Sequence, residues 1–179
     1  MKNKTFRIAA GLLFAAAAVL TLIENTFFAL LQGSVNIFTL FDLSDVLALV
    51  LLALSAFIAT PLLAAIGGAM LGIVNIYFLI DTISLGLYRK SFDVVLLLYY
   101  ALLIAAIVFI IIFAIGKQSL VSGVLMTALW FLANFIQMTF GLDGDYFMIR
   151  LYFGDYLSLI IPVLTVLALL MLALSAKEE

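Results

Sequence analysis

The chain has 179 residues, 68% of them hydrophobic and 10% charged, with a formal net charge of −2. A water-soluble domain is about half apolar and a quarter charged, and one this small has too little interior to hide such a surplus, so lipid is the solvent the composition requires. The lack of Cys and His excludes thiol catalysis, disulfides, the usual zinc and haem sites and histidine acid–base chemistry, and the net negative charge offers no basic field to nucleic acid.

At the start of the chain, Lys2, Lys4 and Arg7 lead into an apolar run from Ile8 to about Ala29 that only Glu24 and Asn25 interrupt, a candidate span over 7–30. A secretory signal has an apolar region of roughly 7–15 residues, so this longer run reads as a retained first span. A crossing requires about 20 apolar residues. Five further segments qualify or come close: 43–59, 61–81, 93–116, 119–140 and 156–176. Between the second and third lies Thr60-Pro61. Thr is favoured at an N-cap and Pro at the first helical position, so a new helix should begin there and 43–81 should fold as a tight hairpin.

Together these segments predict an all-α membrane protein, a single transmembrane domain over 1–179 with six helices arranged as three hairpins. The alternative is five spans with a re-entrant segment, should 43–81 cross only once. With six spans and the N-terminus in the cytoplasm, the inner side carries Lys2, Lys4, Arg7, Lys117 and Lys177, and the outer side Arg89, Lys90 and Arg150. That bias predicts a multi-pass protein of the cell membrane with both termini cytoplasmic.

The chain also repeats itself. Val46–Ala56 matches Val166–Ala176 at nine of eleven positions. Each odd span carries an Asn toward its outer end (Asn25, Asn75, Asn134), and an Asp follows 17, 18 and 21 residues later (Asp42, Asp93, Asp155). Each Asp is placed to cap an even helix, accepting first-turn N–H groups at the positive end of the helix dipole. At 100° per residue the Asn positions end stripes of small residues: Gly11, Ala15, Ala18 and Leu22 before Asn25; Ala64, Gly68 and Gly72 before Asn75; Ser119, Gly123, Thr127 and Trp130 before Asn134 and Gln137. Small residues let helices approach closely in lipid and polar side chains bond across the contact, so the odd helices are expected to pack by these faces.

Glu24 is placed in the outer leaflet, where an ionisable side chain is costly. It is read as a proton carrier or cation ligand, as a partner of Arg89 or Lys90, or as a side chain that simply reaches water. The seven aspartates, Asp42, Asp45, Asp81, Asp93, Asp143, Asp145 and Asp155, are expected on an acidic outer surface. Asp143-Gly144-Asp145 lacks the further ligands of a calcium loop, so no metal is assigned. The segment 146–153, aromatic with one Arg, suits the headgroup layer. Pro162 should kink the last span by freeing the Ser158 carbonyl.

Catalytic patterns are missing. Neither Gly144-Asp145 nor Gly154-Asp155 completes the Gly-x-Gly-Asp of intramembrane aspartyl proteases, and Ser122-Gly123 lacks the earlier Gly of rhomboid proteases. The expectation is a non-enzymatic interaction or accessory subunit, without cofactor, whose partners are the bilayer and other membrane proteins. The alternative is a substrate-binding component of a membrane transporter. Six spans in about 180 residues resembles the size of the vitamin-binding subunits of energy-coupling transporters. A membrane enzyme acting on lipid through Asp or Glu comes third. The first two expectations differ in one structural feature. An interaction module should bond its amides to neighbouring helices with no cavity, whereas a binding component should show a pocket lined by Glu24, Asn25, Asn75, Asn134 or Gln137.

Overall fold

The computed structural model describes residues 2–27, 37–116, 119–140 and 153–176. It contains six α-helices and, among the described residues, no strand. Helix α1 (Lys2–Thr21) continues into a π-helical turn at Leu22–Phe27, and α2 (Ile37–Ile58), α3 (Pro61–Arg89), α4 (Val94–Ile115), α5 (Leu120–Phe140) and α6 (Phe153–Leu174) follow. Five of them contain stretches long and apolar enough to cross a membrane, and α6 adds an apolar stretch over Leu159–Leu174. At 1.5 Å per residue the 22-residue α4 measures about 33 Å, close to the thickness of a bilayer's hydrocarbon. Its outward side chains, among them Leu98, Val108 and Ile112, are exposed, as are Leu12 of α1 and Ile73 of α3. Such a flank has no place in water, and the chain is a multi-pass membrane protein.

Each helix packs on its neighbours in sequence, and α6 returns to pack on α1, so the six close into an up-and-down ring. Residues 43–81 contribute two full-length helices to it, so the re-entrant, five-span alternative fails. Two departures from the expected boundaries stand out. Helix α2 begins at Ile37, well before 43, and α3 runs past 81 to Arg89. In both places an Asp (Asp42, Asp81) looked like the end of a span, but a single carboxylate does not interrupt the backbone hydrogen bonding of a helix.

The two short turns on either side of α3 are built alike. Thr60 is the N-cap of α3 in extended conformation with Pro61 after it, yet its side chain makes no capping bond. Instead its N–H donates to the Ser55 carbonyl at 3.3 Å and its carbonyl accepts from Ser55 Oγ at 2.9 Å. At the other end of α3, the Ser91 N–H donates to the Gly86 carbonyl at 3.1 Å. Both are five-residue-back bonds that close a helix C-terminus through one left-handed residue. Those residues are Ala59 (φ 61°) and Lys90 (φ 55°), where glycine is the usual choice.

The half of the ring nearest the N-terminus is solid. Phe14, Leu52, Ile107, Ile110, Met126 and Leu169 are its largest fully buried side chains, and they come from five of the six helices. Helix α3 approaches through small residues. A Cβ on Gly67 would stand 2.9 Å from the Ala48 carbonyl oxygen, and one on Gly68 would stand 3.0 Å from Ile111 Cγ1. A Cβ on Gly72 would reach only ordinary contact, 3.5 Å from Ile107. Gly11 meets the Phe57 ring, and Gly123 meets Ala173 at 2.7 Å. The small faces are therefore used, though not as expected. The odd helices do not join face to face, because in a ring each is flanked by even helices, and each of these glycines receives a side chain or backbone from one of those. Ala15 and Ala64 belong to the same close packing around the core. Near the N-terminus, Arg7 Nη2 donates to the Ala56 carbonyl at 3.0 Å, placing its charge at the negative end of α2.

Two outcomes are expected in thermal unfolding of the detergent-solubilised protein. Gly67→Ala and Gly123→Ala each lose about 1–3 kcal/mol, since backbone must move to admit the methyl, while Gly72→Ala is close to neutral. Ala59→Gly gains about 1 kcal/mol by relieving the left-handed alanine.

Candidate functional site

Beyond the solid half, away from the N-terminus, the ring encloses a cavity of about 400 Å³. All six helices line it. Thr21 and Glu24 come from α1 and its π-helical turn, Asp45 and Leu49 from α2, and Leu71 and Asn75 from α3. Tyr99 and Leu103 of α4, Trp130, Asn134 and Gln137 of α5, and Ile161, Pro162 and Thr165 of α6 complete the wall. Four of the five residues singled out in the sequence, Glu24, Asn75, Asn134 and Gln137, thus meet around one space. The fifth, Asn25, has its side chain outside the described residues.

The polar lining is satisfied in a particular way. Asn75 Nδ2 donates to the Leu71 carbonyl and Asn134 Nδ2 to the Trp130 carbonyl, both at 2.8 Å. Thr21 Oγ1 donates to the Ala17 carbonyl and Thr165 Oγ1 to that of Ile161, both at 2.9 Å. Every one of these bonds runs one turn back along the same helix. Among the described residues Asn75 and Asn134 thus make no bond across helices, in contrast to the interhelical role expected of them. Each hydroxyl has used its proton and keeps lone pairs, and each amide keeps its oxygen and one N–H. Asp45 stands apart: its Oδ1 is buried and makes no hydrogen bond among the described residues.

Several local features aim these groups. The π-helical turn widens α1 where Glu24 enters the cavity; such turns inside α-helices recur at functional sites. Tyr99 is held at the end of an aromatic series. Phe41 of α2 lies 4.8 Å from Tyr77, Phe78 stacks on Tyr100 at 5.8 Å, and Tyr100 lies 5.1 Å from Tyr99. Pro162 sits in an unbroken helical segment and lines the cavity with Thr165 a turn later, so the carbonyl-freeing residue faces the polar space.

The three expected caps divide. Asp93 is the N-cap of α4, its Oδ1 accepting from the Leu96 N–H at 2.9 Å. Asp42 is not a cap, because α2 begins five residues earlier and encloses it. Asp155 falls in the first turn of α6, and its side chain, like residues 143, 145 and 146–152, lies outside the described residues. Asp45 moves from the acidic surface to the cavity wall, because the longer α2 sets it more than two turns inside the helix.

Tyr99, Asp45, Thr21 and Thr165 were not picked out in the sequence as site residues. A signal existed for two of them. Asp45, Leu49, Leu52 and Ala56 share one helical face, as do Tyr99, Leu103, Ala106 and Ile110, and each face is buried apart from its first residue. A polar group heading an otherwise apolar inward face marks the edge of an internal space.

Comparison with protein-family models, curated proteins and solved structures finds no match to this chain. The site is therefore interpreted from its own chemistry.

Because the amides bond only within their own helices, Asn75→Ala and Asn134→Ala should shift unfolding free energy by no more than about 0.5 kcal/mol. Amides holding helices together would cost more, up to about 1–2 kcal/mol each, in the same thermal or denaturant titration.

Proposed function

We propose that this protein binds a small molecule in the cavity and serves as the substrate-binding component of a membrane transporter. The observation that carries the reading is the convergence of six helices on one polar-lined space of about 400 Å³. Ligand sites occupy roughly 300–1,000 Å³ and combine apolar walls with a few polar groups. An accessory subunit that works by packing alone has no use for such a space, and it would spend its amides on contacts between helices. In the proposed orientation the basic N-terminal end lies in the cytoplasm and the cavity occupies the outer half of the bilayer.

The chain has no cysteine, so an introduced thiol is unique. In sealed membranes, Asn134→Cys and Thr165→Cys should react with an impermeant maleimide added outside, whereas Met126→Cys in the solid half should not. A small-molecule extract of the native cell should slow the reaction, and the protective fraction then identifies the substrate. An Asn134→Cys thiol unreactive from both sides would remove the basis for this function.

A further inference from the structure

We infer that the ligand is an organic cation, an amine or quaternary ammonium on an apolar or aromatic body, with Glu24 and Asp45 as its counter-charges. This rests on the reading of the cavity as a ligand site.

Four observations converge on it. The first is charge. Among the described lining residues Glu24 and Asp45 are carboxylates, and there is no Lys or Arg. An anionic ligand would be repelled. A ligand without hydrogen-bond donors would leave the Asp45 oxygen as the structure has it, buried and without a hydrogen bond among the described residues. The second is hydrogen-bonding sense. Thr21 and Thr165 have donated their protons to their own helices, so what they turn to the cavity is acceptor. The lining amides keep an N–H and Tyr99 and Trp130 carry donors of their own, but the carboxylates and the spent hydroxyls accept, and an ammonium group is a donor that suits them.

The third observation is topological. In a ring of six, α4 stands opposite α1 and α5 opposite α2. The two carboxylates come from the adjacent helices α1 and α2, and the aromatic residues Tyr99 and Trp130 come from α4 and α5. A cation between these walls has counter-charge on one side and aromatic rings on the other, whose faces attract cations. The fourth is size. A space of about 400 Å³, with Leu49, Leu71, Leu103, Ile161 and Pro162 in its wall, far exceeds a bare metal ion and suits an apolar body.

Trp130 is the sole tryptophan and lines the cavity, so its fluorescence reports on what enters. The test compares three quenchers at constant ionic strength on the purified full chain: neutral acrylamide, the N-methylpyridinium cation and the iodide anion. Quenching by N-methylpyridinium is expected to saturate and to exceed that by iodide by about tenfold, the scale on which a cleft of one charge concentrates its counter-ion. The Glu24→Gln/Asp45→Asn double variant should abolish the excess while leaving acrylamide quenching, which checks its fold, unchanged. If that pair unfolds, each single variant should lower the ratio. If acrylamide fails to reach Trp130, the cavity reading falls and takes this inference with it. If acrylamide reaches Trp130 but the cation quenches no better than iodide, or the excess survives in the variants, the cation is ruled out and the binding site stands.

Discussion

The structure depends on how a polar side chain is satisfied where there is no water to satisfy it. Thr21, Asn75, Thr82, Ser84, Thr127, Asn134 and Thr165 each donate to the carbonyl four residues earlier on their own helix. That arrangement lets a helix carry polar groups through lipid without a partner helix to receive them. It also separates cohesion from polarity. The helices are held by shape: a Cβ added at Gly11, Gly67, Gly68, Gly72 or Gly123 would meet its neighbour at 2.7–3.5 Å. The polar groups meanwhile remain available on the inner wall. Were the amides bonded across the ring, they would draw the helices together and close the cavity.

This separation also explains what was legible in the sequence. Apolar runs and the Thr60-Pro61 break locate the helices, because both act locally: the first through the length needed to cross hydrocarbon, the second through backbone geometry. The stripe Ala64, Gly68, Gly72, Asn75 correctly marks an inward face of α3. Its partner could not be read from it, because a small face specifies close approach but not which helix approaches. Only closure of the ring, a property of all six helices together, assigns Ile107, Ile110 and Ile111 of α4 to that face.

The candidate site was legible in part for the same reason. Glu24, Asn75, Asn134 and Gln137 stand out as polar interruptions of apolar spans, and all four reach the cavity. Asp45 did not stand out because it follows Asp42 by three residues near the edge of a run, which reads as headgroup territory. Moving the start of α2 to Ile37 turns the same residue into a carboxylate inside the bundle. Tyr99 was hidden differently: tyrosine is ordinary at an interface, so its place at the head of the face Leu103, Ala106 and Ile110 draws no notice by itself.

The unequal halves of the ring bear on mechanism. A channel needs a continuous polar path, yet the half nearest the N-terminus is filled by Phe14, Leu52, Ile107, Ile110, Met126 and Leu169, all with almost no exposed surface. The small void at that end, about 20 Å³ beside Arg7, Ser55 and Ser175, has room for little more than one water. Moving a ligand through the plug would require several of these side chains to give up their packing at once, at a cost of about 2–5 kcal/mol for each large apolar side chain displaced. Thermal fluctuation of a close-packed ring does not provide that. Passage of a ligand to the other side would therefore require the helices themselves to shift relative to one another. A polar-lined cavity backed by a close-packed plug is the geometry that the proposed capture of a ligand requires.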